Sequence, residues 1–334
     1  MRHIIIGTGA VGGVIGGLLA SVGRDVVLVA RGRQLEALRA GALEVTTAAG
    51  TVRVHPPVAA GPLEVDLRPD DVLVLAMKSQ DTADALTAWA DRPVAGGGTA
   101  AERLPVVCAQ NGVANERAAQ RRFRTVAAMC VWLPATYLEP GRVSAGGTPV
   151  PGVLTVGVVG VGASSPVGGW LAAYARDLET AGFSAPVTSD VMAWKYRKLL
   201  SNLANAVEAL CGTTRDGAAA ELVGRAEDEG RAVLRAAGIA VLDEAVHEAA
   251  RADFRMSRLP GQEGGGGSSW QSLVRGTGSI ESDYLNGEIV LLGRLHGVAT
   301  PVNEVLQRRA RQCAASGARP GATEAADVLR DAIG

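Results

Sequence analysis

Arg2-His3-Ile4-Ile5-Ile6 runs directly into Gly7-Thr8-Gly9-Ala10-Val11-Gly12. The apolar, β-branched run reads as a buried strand, and the small-residue stretch Ala10–Val22 after it reads as a helix. Asp25–Ala30 is a second strand, its Val26-Val27-Leu28-Val29 core continuous, as in a strand covered on both faces. Residues 2–30 therefore form one β-α-β unit, with G-x-G-x-x-G at its first turn. In that setting Gly7 permits the tight turn, Gly9 lets backbone approach a pyrophosphate, and Gly12 lets helix and strand pack closely. Free N–H groups and the positive end of the helix dipole then face the phosphates. Gly7, Thr8, Gly9, Ala10, Val11 and Gly12 are expected to cradle a dinucleotide.

The end of the second strand chooses between dinucleotides. A site for NAD usually places Asp or Glu there to hold the ribose hydroxyls. Here the strand ends Val29-Ala30-Arg31-Gly32-Arg33, with no acid at Ala30 and two arginines able to meet a 2′-phosphate. The expected cofactor is NADP(H), with Arg31 on its phosphate.

Further along, Asp71–Met77 and Leu104–Ala109 are two more buried-strand candidates, separated by a helix near Thr82–Ala90. Thr125–Leu133 and Val153–Val159 follow as strands. Such alternation argues a parallel sheet covered by helices. From about residue 188 the pattern turns helical. It predicts one long helix from Ser189 or Asp190 to about Leu210, then helices over Gly217–Ala237, Leu242–Ala252, Ser279–Leu295 and Pro301–Ala314. The fold class is α/β, with a Rossmann-type parallel sheet over residues 1–187 and an all-helical substrate domain over 188–334.

Composition excludes several classes of function. The 334 residues carry a formal net charge of −1 with no clustered basic face, which argues against nucleic acid as a partner. No apolar stretch approaches the roughly 20 residues that a membrane span needs. No leader precedes the first strand, so the expectation is a cytoplasmic protein. The four cysteines, Cys108, Cys130, Cys211 and Cys313, lack metal-ligand or C-x-x-C spacing; they are expected to be reduced, and no metal is expected.

Of the 33 basic residues only Lys78, Lys195 and Lys198 are lysine. Arginine keeps its proton, whereas lysine can release one, so these three are candidates for work arginine cannot do. Lys78 follows the Asp71–Met77 strand and Asn111 follows the Leu104–Ala109 strand, where ligands bind in such sheets. Lys195, Lys198, Asn202 and Asn205 fall at i, i+3, i+7 and i+10 among apolar neighbours, sharing one helix face. Two ammonium groups on a buried helix call for an anionic partner, and an anionic substrate would supply one. Lys198 is the better acid, since Asn202 one turn on can touch the same ligand. Gly264–Gly267 leads into Ser268-Ser269-Trp270-Gln271, where Ser269 can bind a carboxylate, and Glu281 can accept from substrate hydroxyls.

Taken in order, these motifs resemble the ketopantoate reductase (2-dehydropantoate 2-reductase) family. The resemblance rests on the glycine loop, the Lys78 loop, Gln110-Asn111-Gly112, Lys198-x-x-x-Asn202, Ser268-Ser269-x-x-Gln271 and Glu281-x-Asp283-Tyr284-Leu285-Asn286-Gly287. The tail Gly297-Val298-Ala299-Thr300-Pro301-Val302-Asn303 also fits. It implies NADPH-driven reduction of a small anionic 2-keto acid, as in pantothenate biosynthesis. Lys198 would be the general acid, Asn202 would hold the reacting oxygen, Ser269 the carboxylate and Glu281 the hydroxyl. Asn111 and Lys78 would line the junction of cofactor and substrate. The chain departs from the family pattern where a second asparagine is usual: that position is Ala206, with Asn205 one residue early. Trp270 replaces a smaller residue, and Gly276-Thr277-Gly278-Ser279-Ile280 replaces Gly-Arg-x-Thr. Another keto acid, an imine, or a non-catalytic NADPH-binding role stays open as an alternative, and a homodimer is compatible with the chain.

Overall fold

The structure, a computed structural model, describes residues 1–160, 168–215, 217–256, 259, 266–276 and 278–333. Two compact units are present. The first comprises Met1–Asn111, Asn115–Met192 and Glu248–Gly261; the second comprises Gly112–Ala114, Ala193–His247 and Gln262–Gly334. The units thus divide after Met192 rather than at the 187/188 boundary read from the sequence, and the chain returns to the first unit at Glu248.

In the first unit the strand order is Val153–Val158, Thr125–Trp132, Pro105–Cys108, Asp71–Leu75, Arg2–Ile6, Asp25–Val29, Val58–Ala59. All neighbours run parallel except the Val153–Val158 edge, which pairs antiparallel with Thr125–Trp132. Arg2–Ile6 is central, with Ile4 registered between Val27 and Leu73. Alternate residues serve opposite faces, as a period of two requires. Ile5, Leu28, Val74 and Val107 face the helices Ala10–Ser21 and Gly168–Thr180, while Ile4, Val27, Leu73 and Val106 face Thr82–Ala90. This double covering is why these strands read as unbroken apolar runs. The Ala10–Ser21 helix lies close on the sheet: a Cβ on Gly16 would come within 2.6 Å of Leu28 Cδ2.

At the opposite end of the strands from the glycine loop, Arg2 Nε and Nη2 donate to the two carboxylate oxygens of Asp71, each at 2.7 Å, with both side chains buried. A second, four-stranded sheet joins Gly50–Val54, Leu43–Thr47, Arg142–Ala145 and Ala135–Glu139, with the inner pair parallel. The sequence reading did not anticipate it, because these strands are short and partly exposed.

The described elements of the second unit are α- and 3-10 helices. The two-residue strand Arg255–Met256 belongs to the first unit, where it pairs with Gly147–Thr148. The expected long helix is two helices, Val191–Asn202 and Ala204–Cys211. At the junction Leu203 N–H donates to Leu200 O in a tighter turn, and Asn286 Nδ2 donates to Leu203 O. A side-chain donor at that carbonyl supports the interrupted ladder. Asn286 is in turn held by Asn303, whose Nδ2 reaches Ala226 O and Glu229. Glu229 also accepts from the N–H groups of Val302 and Asn303, satisfying free donors at the start of the Pro301–Ala315 helix.

Candidate active site

Each glycine of the first-unit loop has a separate geometric reason. Gly7 has φ +99, and a Cβ there would lie 2.6 Å from Met77 N. A Cβ on Gly12 would lie 2.1 Å from Gly7 O. At Gly9 a Cβ would meet nothing within 4 Å, so this backbone faces open space. Gly9 is the N-cap of Ala10–Ser21, has no side-chain cap bond, and no acid stands in the first turn. A helix start with uncapped N–H groups and open space before it suits an anion, so the residues present fit a dinucleotide pyrophosphate. Thr8 is used differently: its hydroxyl donates to Val29 O at 3.0 Å, and its carbonyl accepts from Gln34 Nε2 at 3.0 Å. Its side chain braces the loop against the second strand.

Arg31, just past that strand, has a side chain 74% exposed and an ion pair to Asp81 at 3.4 Å. Arg33 is exposed and pairs with no acid among the described residues. Lys78 and Asn111 are both half-buried, at the ends of the Asp71–Leu75 and Pro105–Cys108 strands. A polar network that sequence reasoning missed ties their loops together. Asn115 Nδ2 donates to Ser79 Oγ and to Asn111 O, each at 3.1 Å. Thr82 donates to Asn115 Oδ1 at 2.8 Å, and Gln110 Nε2 donates to Thr82 at 2.8 Å and Met77 O at 3.0 Å. Asn115 gave only a weak signal: it lies one helical turn beyond Asn111, in a helix the sequence pattern did not reveal. Glu116, fully buried beside it, was likewise not singled out.

In the second unit Lys195 is only 3% exposed, while Lys198 and Asn202 are half-buried. Leu199, Leu200 and Leu203 fill the core, as the helix reading expected. Asn202 Nδ2 is buried and finds no hydrogen-bond partner among the described residues. A buried amide donor left this way costs about 1–3 kcal/mol, which an oxygen of a bound ligand would recover. Ser269 is buried at 2%, in the short helix Ser268–Val274 rather than in a loop. Of the glycine run before it, 264 and 265 lie outside the described residues, as does Thr277. The serine helix packs on Ala204–Cys211, and Gly267 N–H donates to Glu208 at 2.7 Å. Glu281 is buried at 4% on the 3-10 turn Glu281–Tyr284, while its neighbour Asp283 is exposed and accepts from Gln307. Leu285 N–H bonds Glu281 O, and Asn286 reaches the Leu203 junction. The serine helix thus lies on the helix that follows the Leu203 break, and the helix that follows the Glu281 turn reaches the break itself through Asn286. Ala206 is buried at 2% and Trp270 is half-buried.

Among the described residues no group of His, Cys, Asp and Glu could hold a metal, and no helix is long and apolar enough to cross a membrane. No cysteine forms a disulfide, and burial pushes the Cys211 thiol up to about 11, away from thiolate reactivity.

A glycine loop at the first turn of a parallel sheet is the setting for a dinucleotide, the class of fold that nicotinamide-dependent oxidoreductases use. Residues 3–162 match the model of the family described as ketopantoate reductase PanE/ApbA, and residues 190–314 match the C-terminal model of the same family. The chain belongs to the ketopantoate reductase family. A 2-dehydropantoate 2-reductase of Halobacterium salinarum is 30% identical over 320 residues, covering 92% of this chain and 96% of that protein. One from Pyrococcus horikoshii is 26% identical over 307 residues, covering 92% and 95%. The crystal structure of a PanE/ApbA family ketopantoate reductase from Ralstonia eutropha aligns with a TM-score of 0.74 at 26% identity, covering 95% of this chain and 99% of that one. A ternary structure of D-mandelate dehydrogenase with NADH and anilino(oxo)acetate shares the fold, with a TM-score of 0.76 at 21% identity over 95% of this chain and 99% of that one.

Proposed function

We propose that the protein reduces a 2-keto acid to a 2-hydroxy acid with NADPH, and that its substrate is 2-dehydropantoate, reduced to pantoate in pantothenate biosynthesis. The observation that carries this is the Lys198–Asn202 pair: one helix carries a lysine and, one turn later, a buried amide donor with no hydrogen-bond partner among the described residues. A reduced nicotinamide dinucleotide, its pyrophosphate held by the Gly7–Gly12 loop, would supply a hydride for the carbonyl carbon. As charge develops on the carbonyl oxygen, Lys198 transfers its proton there and Asn202 donates a hydrogen bond to the same oxygen. Ser269 holds the carboxylate and Glu281 accepts from the substrate hydroxyl. Lys78 and Asn111, braced by the Asn115 network, position the reactants. Arg31 meets the 2′-phosphate.

NADPH oxidation against a panel of keto acids and imines tests the substrate, and a rank for 2-dehydropantoate far below another compound refutes it. Lys198→Ala should lower kcat by about 10²–10⁴, the usual worth of general acid catalysis, while the Kd for NADPH holds. Near-full turnover in that variant would remove Lys198 from the acid role.

A further inference from the structure

The second strand ends without an acid, at Ala30, yet a carboxylate stands beside Arg31 all the same. It arrives from another strand. Asp81 closes the 3-10 turn Ser79–Asp81 after the Asp71–Leu75 strand, and its Oδ2 lies 3.4 Å from Arg31 Nη2. Asp81 occupies the N-cap position of Thr82–Ala90, where an aspartate commonly accepts from the first-turn N–H groups. Its side chain makes no capping bond. The carboxylate is turned instead toward the guanidinium that the cofactor reading assigns to the 2′-phosphate.

We propose that Asp81 is a cofactor-selectivity residue: it competes with the 2′-phosphate for Arg31, offers an acceptor to an unphosphorylated ribose, and so makes the protein accept NADH alongside NADPH. This rests on the reading of the Gly7–Gly12 loop as a dinucleotide site. The pair is exposed, 74% on the arginine side and 43% on the aspartate side. Exposed pairs are weak, so a phosphate of higher charge displaces the carboxylate without unfolding anything. It must still do so beside a like charge that stays in place. A hydroxylated ribose meets the same carboxylate as a hydrogen-bond acceptor, the role an acid at the strand end plays in NAD sites. Arg33, exposed and without an acidic partner among the described residues, stays available to the phosphate.

The test is calorimetric Kd measurement for NADPH and NADH with the full-length wild type, Asp81→Asn, Arg31→Ala and the double variant, at low and high salt. Removing one surface charge near a dianion should tighten NADPH by about tenfold. NADH should weaken, and an unchanged Kd for NADH would remove the ribose-acceptor role. The gain should shrink at high salt and be smaller in the Arg31→Ala background, where competition for the guanidinium is gone and only the direct repulsion between Asp81 and the phosphate is left to relieve. Asp81→Gln should behave like Asp81→Asn, which guards against a fault particular to one side chain. Equal shifts for both cofactors, or a weaker NADPH complex, would overturn the selectivity role while leaving the dinucleotide site intact. Absence of binding of either cofactor to the wild type would overturn the dinucleotide reading itself, and the selectivity role with it.

Discussion

Gly9→Ala separates the fold from the ligand at one atom. At Gly12 an added methyl would run into Gly7 O at 2.1 Å, so failure there would say little about cofactor. At Gly9 the same methyl has no atom within 4 Å of it beyond its chain neighbours, and φ is −87, outside the left-handed region that favours glycine. The protein should therefore fold, losing at most about 1 kcal/mol from the weaker N-cap preference of alanine. The methyl instead fills the space through which a pyrophosphate would reach the first-turn N–H groups. A hydrogen bond to a charged group contributes about 1.5–3 kcal/mol. Losing one or two of them predicts a loss near 3 kcal/mol, or about a hundredfold in Kd. The assay is titration of NADPH and NADH by calorimetry, beside thermal unfolding of the ligand-free variant. A native melting curve with an unchanged Kd for both cofactors would show that no phosphate lies before this helix, and the assignment of the loop would fall.

Asp71→Ala should destabilise the protein by about 3–5 kcal/mol, because Arg2 is left charged and buried without its two bonds; thermal unfolding checks this, and joint Arg2→Met/Asp71→Leu should recover much of the loss. His3 is fully buried, its Nε2 2.9 Å from Asp177 Oδ2, and burial holds its pKa below the ordinary value despite the hydrogen bond it can donate to Asp177, which pulls it up. Its folded state therefore prefers the neutral ring, so its contribution is complete above the unfolded value of about 6.5 and is lost as pH falls through the lower folded value. Tm measured from pH 7.5 to 5 should decline on the acid side, and His3→Gln should flatten that limb; an unchanged slope would exclude His3 as its source.

Much of the first unit was legible because its signals are local. Three glycines in six residues, one short strand on each side and an intervening helix specify a turn whose geometry needs no distant partner. The Leu43–Thr47 and Ala135–Glu139 strands escaped notice because partial exposure mixes their pattern. On the second unit, Lys198 and Asn202 were legible through helical periodicity, while the break at Leu203 was not. Leucine favours helix, and the donor at that carbonyl is Asn286, 83 residues later in the chain. The helix that carries Ser269 gave no signal because the glycine run dominates its surroundings. Asp81 carried no signal, since its significance is its proximity to Arg31 across a gap of 50 residues that no periodicity reports.

Gly7 leaves no slack between the first turn and the peptide of Met77. Whatever displaces one loop pushes directly on the residue before Lys78. A graft of the glycine turn alone from a distant relative would thus carry a mismatch into the lysine segment, and transplanting cofactor preference between such proteins requires exchanging both segments as one cassette.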